Sequence, residues 1–269
     1  MLPAASADRE PPAYLQETSR FLCGTRFEDL PPAVVERAKR LTADLFAIVT
    51  AGNQSAELQA LARARLRSVQ GGKSWVIGTP ERAPAREAGF LNGIASTWHD
   101  FDEGSTIAWS HPGSQTIPAA FAAAQELGVT GREFLTALVM GYEACARVGM
   151  VSRMRVSVHP HGTTGTIGSA VAIARMKRFD EADMRKTINI ATTMALTTNR
   201  QAMLDEATVR NLYSGHSALA GATAIELVEA GFTGQRDGIG FTYGTVIADG
   251  FDPQRYVQGL GRDWLILEG

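Results

Sequence analysis

Apolar residues along the chain recur at intervals of three and four, the spacing of a helix with one buried face. Between Pro31 and Gly52 this face is formed by Val34, Ala38, Leu41, Leu45 and Ile48. Proline suits the first turn of a helix and glycine its end, so the segment is predicted to be helical. The same spacing predicts helices over 54–69, 81–103, 116–127, 165–179, 180–196, 213–230 and 251–260.

Short polar motifs mark where several helices begin. Thr130 and Glu133 have the spacing of a capping box, in which each side chain binds the other residue's free backbone N–H. Asp180 is a typical N-cap before the next apolar run. Alternating strand patterns are nearly absent, and only residues 73–80 suggest a lone strand or an extended linker. We therefore predict an all-α fold, with residues 13–269 as a single helical domain after a disordered tail over residues 1–12.

The composition is that of an ordinary globular protein, with 45% hydrophobic and 20% charged residues and a net charge of −2. Such a charge gives no general attraction to nucleic acid or acidic membranes, so neither is expected as a partner. No apolar run is long enough to span a bilayer and no signal peptide is evident, which predicts a cytoplasmic location. Cys23 and Cys145 form no C-x-x-C pair and are predicted to be buried, reduced thiols.

The segment from His99 to Pro118 has the densest chemistry, with four ionisable side chains in the first five positions. If the preceding helix continued, Asp100 and Glu103 would lie one turn apart at its C-terminus, where the helix dipole disfavours anions. Crowded carboxylates tend to raise one pKa, as acid–base catalysis often requires. The alternative is a solvated helix end with internal ion pairs.

Two His-Pro turns, at His111 and at His159, each precede an Ala-rich helix. Histidine is the natural proton carrier near neutral pH, so both are candidate catalytic residues. A metal site from Asp100, His111, His159 and His161 lacks the spacing of a known motif, and we predict no metal. The glycines at 162, 165 and 168 indicate close helix packing, a helix start that binds an anion, or both.

These segments together resemble the MmgE/PrpD family, which contains 2-methylcitrate dehydratase, cis-aconitate decarboxylase and iminodisuccinate epimerase. The resemblance rests on Asp-Phe-Asp followed by a His-Pro turn, on HPHGTTGTIGSAVAIARM, and on GREFLTALVMGYEACARVG between them. It covers the chain from about Pro31 onward. It implies a large helical domain, commonly a homodimer, that uses no metal or organic cofactor and removes a proton next to a substrate carboxylate.

By position, the resemblance implies Asp100, His111 and His159 as catalytic residues. Asp100 or His159 would take the proton, and His111 would protonate the leaving hydroxyl or the carbanion. Asp102 and Glu103 are interpreted as supporting charge, and His161 as a substrate-binding residue.

Three departures from the family pattern affect this assignment. Gly104 stands where the family often has threonine, and Ser105 or Thr106 is expected to bind substrate in its place. Arg210 stands at the position of a lysine and Tyr213 at that of a histidine. Arginine can hold a carboxylate by two hydrogen bonds but is not a base at neutral pH, so Arg210 is predicted to bind substrate. Family members also continue into a smaller α/β lid domain, which is expected to be absent here.

The sequence-based hypothesis is a lyase or isomerase acting on a small polycarboxylate, with a dehydratase of the 2-methylcitrate type as its first form. A decarboxylase or epimerase of the same family is the closest alternative. A second alternative is a non-catalytic helical subunit that pairs with a separately encoded lid subunit. A third is a module that binds a small anion without chemistry.

Overall fold

The structure, a computed structural model, describes residues 10–196 and 198–269, and these form a helical fold with four very short strands. The helices are α1 (Ala13–Gly24), α2 (Pro32–Gly52), α3 (Ala56–Leu66), α4 (Ala85–Ala95), α5 (Pro112–Leu127), α6 (Gly131–Val151), α7 (Gly165–Met176), α8 (Glu181–Thr193), α9 (Gln201–Leu204), α10 (Leu212–Glu229), α11 (Gly238–Phe241) and α12 (Pro253–Val257). The strands are β1 (Ser74–Trp75), β2 (Arg82–Ala83), β3 (Ser152–Met154) and β4 (Ala248–Phe251). The all-α prediction is confirmed.

Helix α7 lies at the centre of the fold and packs against α5, α6, α8 and α10. Small residues allow this close approach. A Cβ on Gly141 of α6 would lie 2.5 Å from the carbonyl oxygen of Gly168 on α7. A Cβ on Gly168 would lie 2.5 Å from Oγ1 of Thr116 on α5. Of the glycines at 162, 165 and 168, Gly168 confirms the prediction of close helix packing.

The predicted helix starts are present with their capping contacts. The backbone N–H of Thr130 donates to Glu133 Oε2 at 2.9 Å, and that of Glu133 donates to Thr130 Oγ1 at 3.3 Å. Asp180 Oδ1 accepts the backbone N–H of Asp183 at 2.8 Å at the start of α8. Local sequence therefore determined where both helices begin.

Several helix bounds differ from the periodicity-based prediction. Helix α5 begins earlier, at Pro112, and the helices predicted to end at 179, 196 and 260 end at Met176, Thr193 and Val257. The helix predicted over 54–69 ends at Leu66, and the one predicted over 81–103 covers only Ala85–Ala95. The intervening chain turns back through the antiparallel pair β1–β2, which confirms a short strand within residues 73–80. Gly72, at φ 102°, lies so close to Ala83 that a Cβ would be 2.0 Å from the Ala83 carbonyl carbon. This contact therefore requires glycine at position 72, six residues after the end of α3 at Leu66.

Helix α6 is fixed to the C-terminal segment by hydrogen bonds from Arg147, which also forms a buried ion pair within the helix. Arg147 Nε lies 3.2 Å from Glu143 Oε2, and the two side chains are 2% and 1% exposed. The Arg147 guanidinium also donates to four backbone carbonyls, those of Tyr256, Gln258, Gly259 and Asp263. The second strand pair, β3–β4, joins the end of α6 to the same part of the chain.

Within the described residues, α6 alone is long and apolar enough to cross a membrane, and 83% of its apolar window is buried inside the fold. This burial is typical of a core helix. Cys145 on the same helix is buried and Cys23 is half-buried, and both are free thiols. Most of the predicted disordered tail, residues 1–9, lies outside the described residues, and residues 10–12 lead directly into α1.

Candidate active site

The acidic segment lies in a loop between α4 and α5 rather than on a helix. Helix α4 ends at Ala95, and no helix begins again before Pro112. Asp100 has φ 60°, a left-handed conformation that turns the chain, and Ser105 pairs with Ser110 across the loop. The predicted one-turn spacing of Asp100 and Glu103 on a helix is therefore wrong.

The buried carboxylate of this loop is Asp102, whose side chain is 1% exposed. Its Oδ2 lies 3.1 Å from Nδ1 of His111 and 3.3 Å from Nε2 of His161. Both contacts have ion-pair distances but poor hydrogen-bond alignment. Among the described residues, the two Asp102 oxygens and His161 Nε2 have no well-aligned partner. Buried polar atoms are almost always satisfied, so these atoms indicate a place for water or a ligand.

Three histidines form a row beside this carboxylate. The ring centres of His111 and His161 are 4.4 Å apart, and those of His161 and His159 are 4.9 Å apart. Tyr213, on α10, continues the row with its ring centre 5.5 Å from that of His159. We call Asp102, His111, His159 and His161 the Asp–His cluster. The fold thus brings together two of the three predicted catalytic residues and His161.

The charge states within the cluster differ. Burial opposes ionisation of Asp102, but His111 and His161 outweigh it and hold the Asp102 pKa well below its ordinary value. Burial disfavours a charged His111, yet the neighbouring Asp102 carboxylate raises the His111 pKa above its ordinary value. Burial and the surrounding positive groups lower the pKa of His159 to about 3. Burial likewise lowers the pKa of His161. His159 is therefore neutral near pH 7.

Asp100 lies outside the cluster and pairs with Arg210. Its side chain is 68% exposed, and its Oδ1 lies 2.6 Å from an Arg210 nitrogen. Arg210 is itself only 12% exposed and lies 3.5 Å from the Thr97 carbonyl. Burial is the main reason that the pKa values of His159 and His161 are lowered, and the nearby positive charge of Arg210 adds to it. Asp100 and Arg210 therefore form a charged rim beside the histidines.

The two hydroxyl residues predicted to replace the missing threonine have different positions. Ser105 is buried, and its Oγ accepts the backbone N–H of Ala108 at 3.3 Å, so it serves the loop's own structure. Thr106 is exposed at the tip of the same loop. Their predicted role in substrate binding remains a prediction.

Glu103 stabilises the start of α5 instead of the end of α4. Its Oε2 accepts the backbone N–H of Gly113 at 2.9 Å, and its Oε1 accepts the hydroxyl of Tyr142 at 2.5 Å. A carboxylate at a helix N-terminus is stabilised by the helix dipole. Burial still raises the Glu103 pKa. The sequence predicted Glu103 at the C-terminus of the preceding helix, where the dipole disfavours an anion. The carboxylate lies instead at the N-terminus of α5, where the dipole stabilises it.

Gln115, on α5, connects the two His-Pro turns and was missed by the sequence argument. Its amide nitrogen donates to the carbonyl of His111 at 3.1 Å, and its Oε1 accepts the backbone N–H of Gly162 at 2.9 Å. Its side chain also fills the start of α7, where a Cβ on Gly165 would lie 2.2 Å from Oε1. The N-terminus of α7 is therefore occupied by Gln115. A lone glutamine in an Ala-rich helix carries no sequence signal of this role.

A metal ion is a competing interpretation of the cluster. Asp102, His111 and His161 each offer a donor atom, and the three atoms lie within 4.8 Å of one another, a set that suits Zn²⁺. However, His111 Nδ1 also lies 2.9 Å from the Glu103 carbonyl oxygen. Because a carbonyl can only accept, Nδ1 must carry a proton and has no lone pair for a metal. The arrangement favours hydrogen bonding, and the absence of a metal remains a prediction.

The larger cavities described on the surface lie away from the cluster. Two of about 540 Å³ lie beside Cys23 and beside Phe241, and one of about 520 Å³ lies beside Leu58. None of the three is lined by a histidine. The cluster instead underlies an open face, where Phe101 and Trp109 are each 76% exposed. Chemistry, rather than concavity, identifies the candidate site.

The protein is a helical domain that carries the Asp–His cluster on the loop before α5 and the turn before α7. The sequence profile of the MmgE/PrpD N-terminal domain matches residues 16–251, so the chain belongs to the MmgE/PrpD family. The resemblance stated from the motifs is confirmed.

Curated relatives agree with this assignment. The chain is 28% identical over 259 residues to a cis-aconitate decarboxylase-like protein of Aspergillus oryzae, covering 88% of this chain and 53% of the relative. It is 26% identical over 223 residues to cis-aconitate decarboxylase of Homo sapiens, covering 79% of this chain and 45% of the relative. It is 23% identical over 255 residues to cis-aconitate decarboxylase of Aspergillus terreus, covering 88% of this chain and 52% of the relative. The chain thus spans about half the length of the curated relatives it matches.

Proposed function

We propose that this domain belongs to a lyase that acts on a small polycarboxylate by moving a proton next to a carboxylate group. The observation that carries the proposal is the Asp–His cluster, in which a buried carboxylate faces two imidazoles and leaves its own oxygens without aligned partners. Such an arrangement is suited to general acid–base catalysis.

The charge around the cluster supports an anionic substrate. His159 is neutral, and Arg210 and Arg200 both lie close enough to lower its pKa. An arginine beside a buried, neutral histidine favours a bound carboxylate through charge-assisted hydrogen bonds. Asp100 neutralises part of the Arg210 charge and would have to share Arg210 with a substrate carboxylate.

The relatives guide the choice of reaction. Those described above are named for decarboxylation of cis-aconitate, and this supports a lyase acting on a tricarboxylate. Loss of CO₂ and loss of water both pass through a carbanion beside a carboxylate, so one site chemistry accommodates both. Decarboxylation of a cis-aconitate-like tricarboxylate is therefore the first reaction to test, with dehydration of 2-methylcitrate and epimerisation as the alternatives.

The test is incubation with cis-aconitate, 2-methylcitrate, citrate and iminodisuccinate in D₂O, followed by NMR of the products. Deuterium at the carbon next to a carboxylate reports proton transfer even when net turnover is slow. We expect His111→Gln and His159→Gln to lower this exchange by about 10²-fold or more. The matched control is His99→Gln, since His99 is exposed in the turn after α4. Equal exchange in both site variants and the control would refute the proposal.

We also propose that a further protein segment covers the open face above the cluster. Three apolar side chains on the loops that carry site residues, Phe101, Trp109 and Val156, are 76%, 76% and 79% exposed. Exposed apolar patches commonly mark interfaces, and a carbanion needs protection from water. The cover would be a further part of the same polypeptide, a separate lid subunit or the second chain of a homodimer.

Oxidative footprinting of the native protein tests this cover. Trp109 is expected to be protected relative to Trp75, which is 37% exposed on the distant β1. Intact mass, cross-linking and sedimentation then identify whether the protected state is one chain, two different chains or two copies. Trp109 oxidation faster than that of Trp75 would show that the face is open.

A further inference from the structure

Hydrogen bonds to backbone groups fix the protonation site of His111. Its Nδ1 lies 2.9 Å from the Glu103 carbonyl oxygen and 3.1 Å from Asp102 Oδ2. Both oxygens are acceptors, so Nδ1 carries the proton. A neutral His111 then has its lone pair on Nε2. The ring is 33% exposed, so a substrate can approach it.

His159 is fixed in the opposite way. Its Nδ1 lies 3.2 Å from the backbone nitrogen of His161, which can only donate. The lone pair of His159 is therefore on Nδ1, and the proton of the neutral ring is on Nε2. The turn itself is held by Thr198, whose hydroxyl donates to the carbonyls of His159 and His161 at 2.6 and 2.9 Å.

We propose that His111 and His159 are held in opposite tautomers, so that His111 Nε2 accepts the substrate proton while His159 Nε2–H donates a hydrogen bond to the substrate oxygen. Asp102 is a positioning residue whose negative charge, 3.1 Å from Nδ1, favours the Nδ1–H form that donates to the Glu103 carbonyl. This use of the two rings rests on the proposed function, whereas the tautomers themselves do not. It reverses the order of roles suggested by the sequence, in which His111 gave the proton.

The proton and electron balance of the step is simple. In dehydration or epimerisation, the C–H bond next to the substrate carboxylate breaks, its proton moves to His111 Nε2, and its electron pair spreads into that carboxylate. In decarboxylation the C–C bond to the departing CO₂ breaks instead, and protonated His111 returns its Nε2 proton to the carbanion. The resulting imidazolium lies beside the negative Asp102, which stabilises it. The new negative charge on the substrate oxygen is met by the His159 N–H and by Arg210. A neutral histidine donor is suitable here because it stays protonated at Nε2 throughout.

The groups facing these rings come from several elements. His111 is faced by Asp102 and Glu103 from its own loop and by His161 from the turn before α7. His159 is faced by His161 and Tyr213, with Arg210 and Arg200 close enough to act on its charge. The only acids in these contacts lie on the His111 side. The proton is therefore better accommodated on His111 than on His159.

Long-range ¹⁵N–¹H NMR of histidine-labelled protein near pH 8 tests the tautomers directly. The coupling pattern distinguishes a proton on Nδ1 from one on Nε2, and single His→Gln variants assign the five rings. We expect the Nδ1–H form for His111 and the Nε2–H form for His159, with exposed His99 averaging between both. The same tautomer in both site rings, or the reverse pair, would overturn the inference whether or not the protein is a lyase.

Asp102→Asn then tests the positioning role. We expect the Nδ1–H preference of His111 to weaken, kcat to fall by about 10²-fold or more, and the acidic limb of the pH–rate profile to move to lower pH. His111 acts as a base when it is neutral. Removing the negative charge of Asp102 lowers the His111 pKa, so the acidic limb moves to lower pH. Asp44→Asn, on the exposed face of α2, is the matched control. A fall in kcat with an unmoved limb and unchanged His111 tautomer would contradict the role. If Asp102→Asn does not fold, the wild-type spectrum alone decides the tautomers.

Discussion

Replacing Arg147 by methionine should remove a large part of the domain's stability. The change leaves Glu143 buried without its counter-charge and leaves four backbone carbonyls without their donor. Breaking a buried ion pair from one side costs about 3–5 kcal/mol, against a usual total of about 5–15 kcal/mol. The same loss releases the segment around α12 from α6, because Arg147 makes the contacts that join them.

The destabilisation should also depend on pH. Burial raises the pKa of Glu143 to about 7, against the opposing effects of Arg147 and the Ile266 N–H. Such a carboxyl contributes stability that is complete below its unfolded pKa of about 4.3 and is lost as pH rises through the folded value. Without Arg147 the folded pKa rises further, so the variant should lose more relative to wild type at pH 8 than at pH 5.

Urea unfolding followed by far-UV circular dichroism measures both effects. Lys39→Met is the matched control, because its partner Glu36 and Lys39 are 57% and 53% exposed. An exposed pair of this kind contributes about 0–1 kcal/mol. The double variant Arg147→Met with Glu143→Leu should recover part of the loss. The reasoning is refuted if Arg147→Met matches Lys39→Met, or if its loss is equal at both pH values.

Three further predictions concern stability. Gly168→Val should strongly lower the midpoint of urea unfolding, because even a Cβ at this position would lie 2.5 Å from Thr116. The control Gly131→Ala should leave the midpoint unchanged, since nothing lies within 4 Å of a Cβ there. Equal midpoints for the two variants would contradict the packing argument. Thr130→Ala should cost about 1 kcal/mol by thermal melting, since it removes the hydroxyl that accepts the Glu133 N–H while the backbone N–H of residue 130 still donates to Glu133, and Thr130→Ser should recover most of it. Wild-type stability should fall as pH drops from about 6.5 toward 3, because His159 is buried neutral and its pKa is lowered to about 3. His159→Gln should show a smaller fall over that interval, and an unchanged fall would assign the acid sensitivity to other groups.

The sequence predicted those features of the fold that depend on neighbouring residues. The all-α class followed from helical spacing, and the starts of α6 and α8 followed from Thr130, Glu133 and Asp180. Helix ends were less predictable. Helical spacing continued past Leu66 and Ala95, but the chain left the helix to make tertiary contacts such as that of Gly72 with Ala83.

For the site, the sequence supplied the residue types, and the tertiary structure decided their arrangement. His111, His159 and His161 stood out because they lie in two His-Pro turns that each precede an Ala-rich helix. Nothing local distinguishes Asp100 from Asp102, which lie two residues apart in one loop. The left-handed turn at Asp100 places its side chain beside Arg210, 110 residues away in sequence. The side chain of Asp102 lies instead beside His161, 59 residues away. Burial then sets the charge of each group, and burial is a property of the packed helices rather than of any single segment.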